Sequence, residues 1–362
     1  MRDLNNIRAD INKIDGEMRE LFSERMKLAA EVAEYKSAHG LAIHDPEREA
    51  QVIERNAKEL DDEKLRPYYV SFLQSNMDIS KSYQDMLISG MTVAYSGVAG
   101  AFAHIAACKL FGNARKTAYP NFESAYKACV DGECDTVVLP VENSYNGEVG
   151  AVTDLMFSGP LVVNGIVDID ITHCLLGTPD ATITDVKTVV SHPQALAQCK
   201  SYIREHGFTE KEFENTALAA EEVARQNDKT TAAIASETAA SLFGLKVLEK
   251  NINASRSNTT RFAVFSRSEH KRNTDEHGIY SIILFTVKNE AGALAKALDI
   301  IGKHGFNMRT LRSRPMKELM WKYYFYIEVE GNASSKEGRR MLEDLEEFCD
   351  KLKVVGYYAT AQ

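Results

Sequence analysis

The pattern of glycine and apolar residues changes twice along the 362-residue chain and divides it into three parts. Residues 1–89 contain two glycines and carry apolar residues at the 3.6-residue period of long helices, so this part is predicted to be all-helical. Residues 91–268 alternate short β-rich runs with helical stretches, which indicates an α/β fold. A charged linker at 269–277 precedes residues 278–362, whose order of strand, helix, two strands, helix and strand predicts a ferredoxin-like module.

Charge and hydropathy exclude two classes of partner. The formal net charge of −9 provides no basic face for nucleic-acid phosphates. No apolar run approaches the ~20 residues of a membrane-spanning helix, and the apolar run at 280–287 has the length of a strand. The polar N-terminus does not resemble a signal peptide, and the six cysteines form no CxxC pair and no metal-binding spacing. We therefore expect a cytoplasmic protein that binds neither nucleic acid nor membrane and has no metal site.

Cations interrupt the apolar face of the first helix. On a helical wheel, Arg25 falls in the middle of this stripe, and Lys36 lies about 20° away and roughly 16 Å along the axis. Arg8 lies at the edge of the stripe. Unpaired charges on a packed face are costly, so Arg25 and Lys36 either snorkel or pair with carboxylates of other helices, or they form a cleft for an anion. The stripe consists of Leu4, Ile7, Ile11, Ile14, Met18, Leu21, Phe22, Leu28, Ala29 and Val32.

Two further helices carry polar groups that fit such a cleft. Asp45 is predicted to cap the second helix, with Pro46 at its first position, which places Arg48 and Glu49 in the first turn. A third helix, predicted over 64–88, has Ser80 and Gln84 at the edge of its apolar face with i, i+4 spacing. Cations, a carboxylate and neutral donors would then surround a small polyanion that carries a hydroxyl.

This segment resembles the all-helical chorismate mutases, whose three helices intertwine in a homodimer. The resemblance implies that Arg25, Arg48 and a partner chain's Arg8 bind the two carboxylates of chorismate. It also implies that Lys36 and Gln84 contact the ether oxygen and that Glu49 contacts the ring hydroxyl. The remaining positions of the family pattern, expected to bind substrate, are Asp45 and Ser80. A pericyclic rearrangement requires no cofactor, only capture of the reactive conformer and stabilisation of developing charge.

In the middle segment, polar residues cluster where predicted strands end. LPVENSYNG (139–147) follows an apolar strand, SHPQALAQ (191–198) joins a strand to a helix that Ser191 can cap, and NTTRF (258–262) opens another strand. Each stretch alone is typical of a turn or a cap. Together they form the kind of strand-end edge at which open α/β sheets bind ligands.

These stretches resemble those of prephenate dehydratase, which implies two α/β subdomains like those of a type II periplasmic binding protein, with the site in the cleft between them. The resemblance makes Thr260 the donor to the departing ring hydroxyl. The other residues that it assigns to the substrate are Glu142, Asn143, Ser144, Ser191, Gln198, Thr259, Arg261 and Phe262. In a further loop, YSGVAGAF (95–102), Ala101 stands where this family usually has a hydroxyl residue.

The C-terminal module resembles the ACT domain, which self-associates and binds amino acids. Its second helix is predicted over 336–352 and its third strand over 321–330. The resemblance implies a phenylalanine site formed by Gly292, Ala293 and Leu294 together with Ser313, Arg314 and Pro315. Arg312 stands where the family motif has a glutamate, so the charge beside the predicted effector site is reversed.

The order of the three segments resembles that of the bifunctional chorismate mutase/prephenate dehydratases. The leading hypothesis is a cofactor-free, at least dimeric enzyme that converts chorismate to prephenate and prephenate to phenylpyruvate, with phenylalanine as effector. One alternative is a mutase fused to a metabolite-sensing module that is not catalytic. A second alternative makes residues 1–89 a helical adaptor, in which replacing Arg25 or Lys36 would leave the fold unchanged or more stable.

Overall fold

The computed structural model describes residues 2–39, 41, 43, 45–254, 258–269, 278–316 and 323–359. The chain divides into two compact units, one formed by residues up to Thr92 with Asn113–Arg115 and the other by the rest of the chain. The predicted linker at 269–277 lies outside the described residues, apart from Glu269, as do Trp321 and Lys322 of the predicted third strand. Within the described part of the chain, no helix is long and apolar enough to span a membrane.

The first unit consists of three helices: α1 (Leu4–His39), α2 (Pro46–Lys58) and α3 (Arg66–Ser89). The side chain of Asp45 accepts a hydrogen bond from the backbone N–H of Arg48, at 3.0 Å, and Pro46 occupies the first turn, as predicted for this cap. Much of the apolar stripe of α1 remains uncovered in one chain, since Leu21 is 64% and Leu28 60% exposed.

The second unit begins with two α/β parts. The first contains β1 (Thr92–Ser96), α4 (Phe102–Leu110), β2 (Arg115–Tyr119), α5 (Phe122–Val130), β3 (Thr136–Asn143), β4 (Gly147–Glu148), α6 (Gly150–Ser158) and β5 (Val162–Asp170). The second contains β6 (Cys174–Gly177), a 3-10 turn (Ile183–Asp185), β7 (Thr188–Ser191), α7 (Pro193–Gln198), α8 (Lys200–His206), β8 (Thr209–Glu212), α9 (Thr216–Gln226), β9 (Thr231–Ala235), α10 (Glu237–Phe243) and β10 (Lys246–Glu249). Strand β11 (Thr259–Ser266) then returns to the first part and pairs with both β3 and β5.

The C-terminal module contains β12 (Ile279–Val287), α11 (Ala293–Lys303), β13 (Met308–Pro315), β14 (Tyr323–Glu330), α12 (Lys336–Glu346) and β15 (Cys349–Ala359). This order confirms the predicted βαββαβ arrangement. The prediction that its second helix continues to residue 352 is wrong. The segment from Cys349 onward is a strand because it pairs with β12, which places Leu352 opposite Phe285 and against the core of the module.

Two sheets organise the second unit. One has the order β13-β14-β12-β15-β5-β11-β3-β1-β2, with β4 paired to β3, and the other has the order β10-β6-β9-β7-β8. The dehydratase-like and ACT-like segments share the first sheet and one hydrophobic core, in which the rings of Phe157 and Tyr324 stack at 4.3 Å between centroids. The two α/β subdomains implied by the sequence are therefore present, and the C-terminal module packs directly on the first of them.

The C-terminal module joins the larger sheet where Gly356 of β15 pairs with Val163 of β5. Gly356 has φ +153°, and a Cβ atom there would collide with the carbonyl oxygen of Val163. We expect Gly356→Ala to reduce the free energy of unfolding of this unit by about 1–3 kcal/mol, because a side chain must push the paired strand away. Differential scanning calorimetry of the variant and the wild-type protein measures this loss of stability.

The matched control is Gly302→Ala, in α11 of the same unit, where no atom lies within 4 Å of the added Cβ. That change is expected to raise stability by about 0.5 kcal/mol, because alanine restricts the unfolded chain more than glycine does. Equal unfolding temperatures for the Gly356 variant and the wild-type protein would contradict the proposed role of this junction.

Candidate active sites

In the helical unit, Arg25 of α1 reaches α3. Its Nη1 donates hydrogen bonds to the carbonyl oxygen of Asn76, at 3.2 Å, and to Ser80 Oγ. The guanidinium is half-buried, and this burial lowers the pKa of Arg25. Gln84, one turn beyond Ser80, is also buried, and no described residue bonds its Oε1. The structure thus brings together three of the predicted mutase residues on the two helices.

The other predicted mutase residues lie along the same helices and the loop between α1 and α2. Lys36 Nζ donates to the carbonyl oxygen of Ile43, at 2.6 Å. Arg48 is exposed in the first turn of α2, after the cap formed by Asp45. Arg8 is exposed on α1, 17 residues and about 26 Å along the helix from Arg25. That separation keeps Arg8 away from Arg25 of the same chain, and its contribution to a partner's site stays a prediction.

Sequence reasoning missed Lys81, which pairs with Glu49. Lys81 Nζ lies 2.9 Å from Glu49 Oε2 and 2.9 Å from Asp78 Oδ1. Burial alone would lower the pKa of Lys81, but the two carboxylates outweigh this and raise it. The lysine follows Ser80 directly, yet the wheel pattern alone does not reveal that α2 places a carboxylate opposite it.

In the second unit, a cavity of about 630 Å³ lies between residues of both sheets. The predicted residues that line it are Asn143, Gln198, Thr260 and Phe262. Other lining residues, not predicted from the sequence, include Ser96, Asn121, His173, His192, Gln194, Asn215 and Thr216. Apolar groups dominate the first subdomain's wall, among them Phe102, Phe122, Val149 and Ile171.

A hydrogen-bond chain fixes the orientation of the polar groups in this cavity. Asn143 Oδ1 accepts from the backbone N–H groups of Tyr145 and Asn146, at 3.1 and 3.0 Å, so its Nδ2 must face the other way. That Nδ2 donates to Thr260 Oγ1 and to Asn258 Oδ1, both at 2.9 Å. Thr260 Oγ1 accepts this bond, and no residue in the described part of the chain accepts the hydroxyl hydrogen of Thr260, so this hydrogen can be donated to a ligand.

The same chain of hydrogen bonds continues from Asn258 to His173. Since Asn258 Oδ1 is an acceptor, Asn258 Nδ2 donates to Gln198 Oε1, at 3.0 Å. His173 Nε2 lies 2.9 Å from the same oxygen and must carry a hydrogen. Burial lowers the pKa of His173, although its bond to Gln198 acts in the opposite direction, so we assign the neutral Nε2–H tautomer. A histidine inside the apolar stretch ITHCLL was the sequence signal for this residue.

Two buried groups at the His173 end of this hydrogen-bond chain have no protein partner among the described residues. They are Gln198 Nε2, a donor, and His173 Nδ1, an acceptor in this tautomer. Gln198 is 7% and His173 2% exposed, so unpaired polar atoms here are costly. A ligand with an oxygen acceptor facing Gln198 would relieve part of that cost.

The structure places Glu142 and Arg261 away from the cavity, which corrects the prediction that they bind substrate. Thr260 pairs with Asn143, and Arg261 with Glu142, in the register of β11 and β3. Successive side chains of a strand point to opposite faces, so the second pair faces the C-terminal module. There Arg261 Nη1 lies 3.0 Å from Glu328 Oε1 and 3.4 Å from Glu142 Oε2.

Three other predicted residues also lie outside the cavity lining and stabilise the backbone instead. Ser144 Oγ accepts from the backbone N–H of Thr259, at 3.0 Å, and Thr259 Oγ1 donates to Asp170, at 3.1 Å. Ser191 does not cap α7, because its hydroxyl donates to the carbonyl oxygen of Ile234 at 2.5 Å. The cap is His192, whose Nδ1 accepts from the backbone N–H of Gln194.

A second cavity, of about 460 Å³, lies at the start of α11 in the C-terminal module. Ala293 and Leu294 line it, and Gly292 caps the helix with φ +82°. Ser313, Arg314 and Pro315 do not line it within one chain, and their contribution to an effector site stays a prediction. Side chains alternate along β13, so Ser313 and Pro315 are exposed, whereas Arg314 Nε donates to Asp154 Oδ1 of α6, at 3.1 Å.

Comparison with known proteins shows which families the three segments of the chain match. Three family models match: chorismate mutase type II over residues 7–85, prephenate dehydratase over 93–270 and the ACT domain over 281–347. The bifunctional chorismate mutase/prephenate dehydratase of Aquifex aeolicus is 35% identical over 372 aligned residues, covering 100% of this chain and 99% of the relative. The chain belongs to the bifunctional chorismate mutase/prephenate dehydratase family. Both enzyme activities and phenylalanine biosynthesis are characteristic of that family.

Two solved structures each resemble about three quarters of this family member. A prephenate dehydratase from Arthrobacter aurescens, in complex with L-Phe, is 26% identical with a TM-score of 0.68, covering 75% of this chain and 90% of its own. A chain described as GqqA, a novel type of quorum quenching acylase, is 31% identical with a TM-score of 0.69, covering 75% of this chain and 98% of its own.

Proposed function

We propose that the 630 Å³ cavity is the prephenate dehydratase site and that Thr260 donates a hydrogen bond to the departing ring hydroxyl. The observation that carries this proposal is the bond from Asn143 Nδ2 to Thr260 Oγ1, because it leaves the hydroxyl hydrogen of Thr260 free. A threonine is a weak acid, so the proton moves late or through water. The C–C bond to the ring carboxylate breaks and carbon dioxide leaves, while the electron pair of that bond completes the aromatic ring. The C–O bond to the ring hydroxyl breaks, and the leaving hydroxide takes up one proton from solvent, directly or through Thr260, and departs as water.

The remaining lining residues account for substrate orientation. Gln198 Nε2, a buried donor, faces a carboxylate or keto oxygen of prephenate. Phe102, Phe122 and Phe262 exclude water around the ring carboxylate, which favours loss of charge as carbon dioxide leaves. In this proposal neither the loss of carbon dioxide nor the loss of the ring hydroxyl uses a metal ion or an organic cofactor.

For the helical unit, we propose that Arg25 and Arg48 bind the carboxylates of chorismate, with Arg8 supplied by a second copy of the chain. Lys36 and Gln84 would contact the ether oxygen, where negative charge develops as the C–O bond breaks, and Glu49 the ring hydroxyl. The bond between Arg25 and Ser80, with Gln84 buried one turn beyond Ser80, supports this arrangement. A neutral amide keeps its donor at any pH, unlike a glutamic acid at the same position.

A homodimer is proposed as the minimal assembly. It rests on the exposed apolar stripe of α1, in which Phe22 and Val32 are each 43% exposed. A dimer would cover this stripe and supply Arg8 to the partner's site. The cytoplasmic location and the segment boundaries at 1–89, 91–268 and 278–362 stay predictions.

Phenylalanine is proposed as the effector of this chain, bound at the 460 Å³ cavity beside Gly292, Ala293 and Leu294. The L-Phe complex of the Arthrobacter relative supports this proposal. Leu294, Tyr323 and Phe325 supply an apolar wall for an aromatic side chain. Lys288, Glu290 and Asp350 supply charges for its amino and carboxylate groups.

The test is to supply the purified protein with chorismate and to follow chorismate loss and phenylpyruvate formation together. We expect phenylpyruvate to accumulate, because both reactions are assigned to this chain. If the reaction stopped at prephenate, the mutase assignment would stand, while the second unit would have to be reassigned as a metabolite-sensing module.

A further inference from the structure

Thr260 and Asn143, whose amide orients the Thr260 hydroxyl, each adjoin a charged residue that faces away from the cavity. Asn143 follows Glu142 in β3, and Thr260 precedes Arg261 in β11. Because these four residues pair across the two strands, Thr260 with Asn143 and Arg261 with Glu142, a displacement of one pair displaces the other.

The outward-facing pair is held by the C-terminal module. Arg261 Nη1 lies 3.0 Å from Glu328 Oε1 of β14, and its Nη2 donates to the hydroxyl of Tyr358 of β15, at 2.8 Å. Arg312 of β13 pairs with Glu142 and lies over the ring of Tyr326, 5.6 Å from its centroid. Thus three strands of the ACT module contact the residues that adjoin Asn143 and Thr260.

Glu328 is 1% exposed, which makes its pairing with Arg261 costly to break. Burial would raise the pKa of Glu328, but Arg261 and the hydroxyls of Tyr326 and Tyr358 outweigh this and lower it, so the carboxylate stays charged. The hydroxyls of Tyr326 and Tyr358 donate to its two oxygens at 2.6 and 2.5 Å. The rigid, fully bonded carboxylate gives Arg261 a fixed partner.

We propose that Glu142 and Arg261 are positioning residues for the dehydratase reaction and that Arg312 and Glu328 of the ACT module hold them in place. We call these four residues the charge cluster. The proposal rests on the dehydratase site proposed above. It explains why an arginine occupies position 312: its partner is Glu142, in the strand that carries Asn143. A displacement of β13 and β14 would therefore displace Asn143 and Thr260, although neither of these ACT strands contacts substrate.

A double-mutant cycle with Glu142→Gln and Arg312→Gln tests the proposal, using the full-length chain and both substrates. Each single variant is expected to lower dehydratase kcat by about ten- to a hundredfold with little change in KM, because small misplacements of reacting groups are costly. The double variant should lose no more than Glu142→Gln alone, since that change already removes the ion pair with Arg312 as well as the one with Arg261. Mutase turnover and the unfolding temperature should stay at wild-type values.

The matched control is Arg340→Gln, which removes an exposed ion pair with Glu337 in the same module and should leave dehydratase turnover unchanged. Wild-type kcat in both single variants would overturn the proposal. Multiplicative losses in the double variant, or equal losses of mutase activity and thermal stability, would also overturn it.

Hydrogen exchange of the peptide covering 258–263 provides a readout that does not depend on turnover. Faster exchange in Arg312→Gln than in Arg340→Gln is expected, and equal protection would overturn the proposal. A wild-type protein that makes no phenylpyruvate would instead refute the dehydratase site, while hydrogen exchange would still decide whether the charge cluster fixes β11.

Discussion

Thr260→Val is expected to lower dehydratase kcat by about 10²–10³-fold, the usual loss when one preorganised donor to a developing negative charge is removed. Valine preserves the shape of threonine but offers no hydrogen to the leaving hydroxyl. It also leaves Asn143 Nδ2 with Asn258 Oδ1 as its remaining side-chain acceptor. Phenylpyruvate formation from prephenate measures the loss, and mutase turnover in the same protein should be unchanged.

Thr259→Val is the matched control, because the neighbouring threonine bonds Asp170 and does not line the cavity. It is expected to keep most of the dehydratase turnover. A metabolite-sensing module would bind prephenate equally well in wild type and both variants, with no turnover to lose. Full activity in the Thr260 variant would refute the role given to its hydroxyl.

Arg25→Met is the second change with a large expected effect, a fall of about one and a half to three and a half orders of magnitude in mutase kcat/KM. Removing a partly desolvated cation that binds a substrate carboxylate costs about 2–5 kcal/mol, and each 1.4 kcal/mol is tenfold. The bond to Ser80 and the contact with the Asn76 carbonyl oxygen are lost as well. Chorismate consumption is the measurement, while dehydratase activity on added prephenate should be preserved.

Arg19→Met provides the control on the same helix, since Arg19 is exposed and belongs to no proposed site. It should leave chorismate consumption within about twofold of wild type, as expected for a surface substitution away from special features. If Arg25→Met left mutase turnover intact, the role given to Arg25 in binding a substrate carboxylate would be refuted.

Local sequence signals predicted most of the secondary structure. The Asp45–Pro46 start of α2, the βαββαβ order and the strand at NTTRF all depend on neighbouring residues, and the structure contains each of them. The error at 336–352 has a long-range cause, because the helical pattern after Glu346 is overridden by pairing with β12. Short strands such as β6, β8 and β10, of four residues each, carry too little periodicity to be found alone.

The residues of the candidate sites likewise divide into those that sequence motifs identified and those that only the tertiary structure identified. Motifs identified Asn143, Gln198, Thr260 and Phe262, but not which residues beside them face the cavity. That choice depends on strand alternation and pairing, which turn Glu142 and Arg261 toward the C-terminal module. His173 escaped detection because its partner Gln198 lies 25 residues away along the chain.

The sequence by itself determined the order of the three segments, because this depends on periodicity along the chain, and its motifs carried the resemblance to the family and to the residue types that each reaction requires. Only the tertiary structure decided the tautomer of His173, the free hydroxyl hydrogen of Thr260 and the pairing of Arg312 with Glu142. Each of these follows from hydrogen bonds or ion pairs between residues far apart in sequence. Such contacts exist only after the strands have paired and the C-terminal module has packed against the dehydratase sheet.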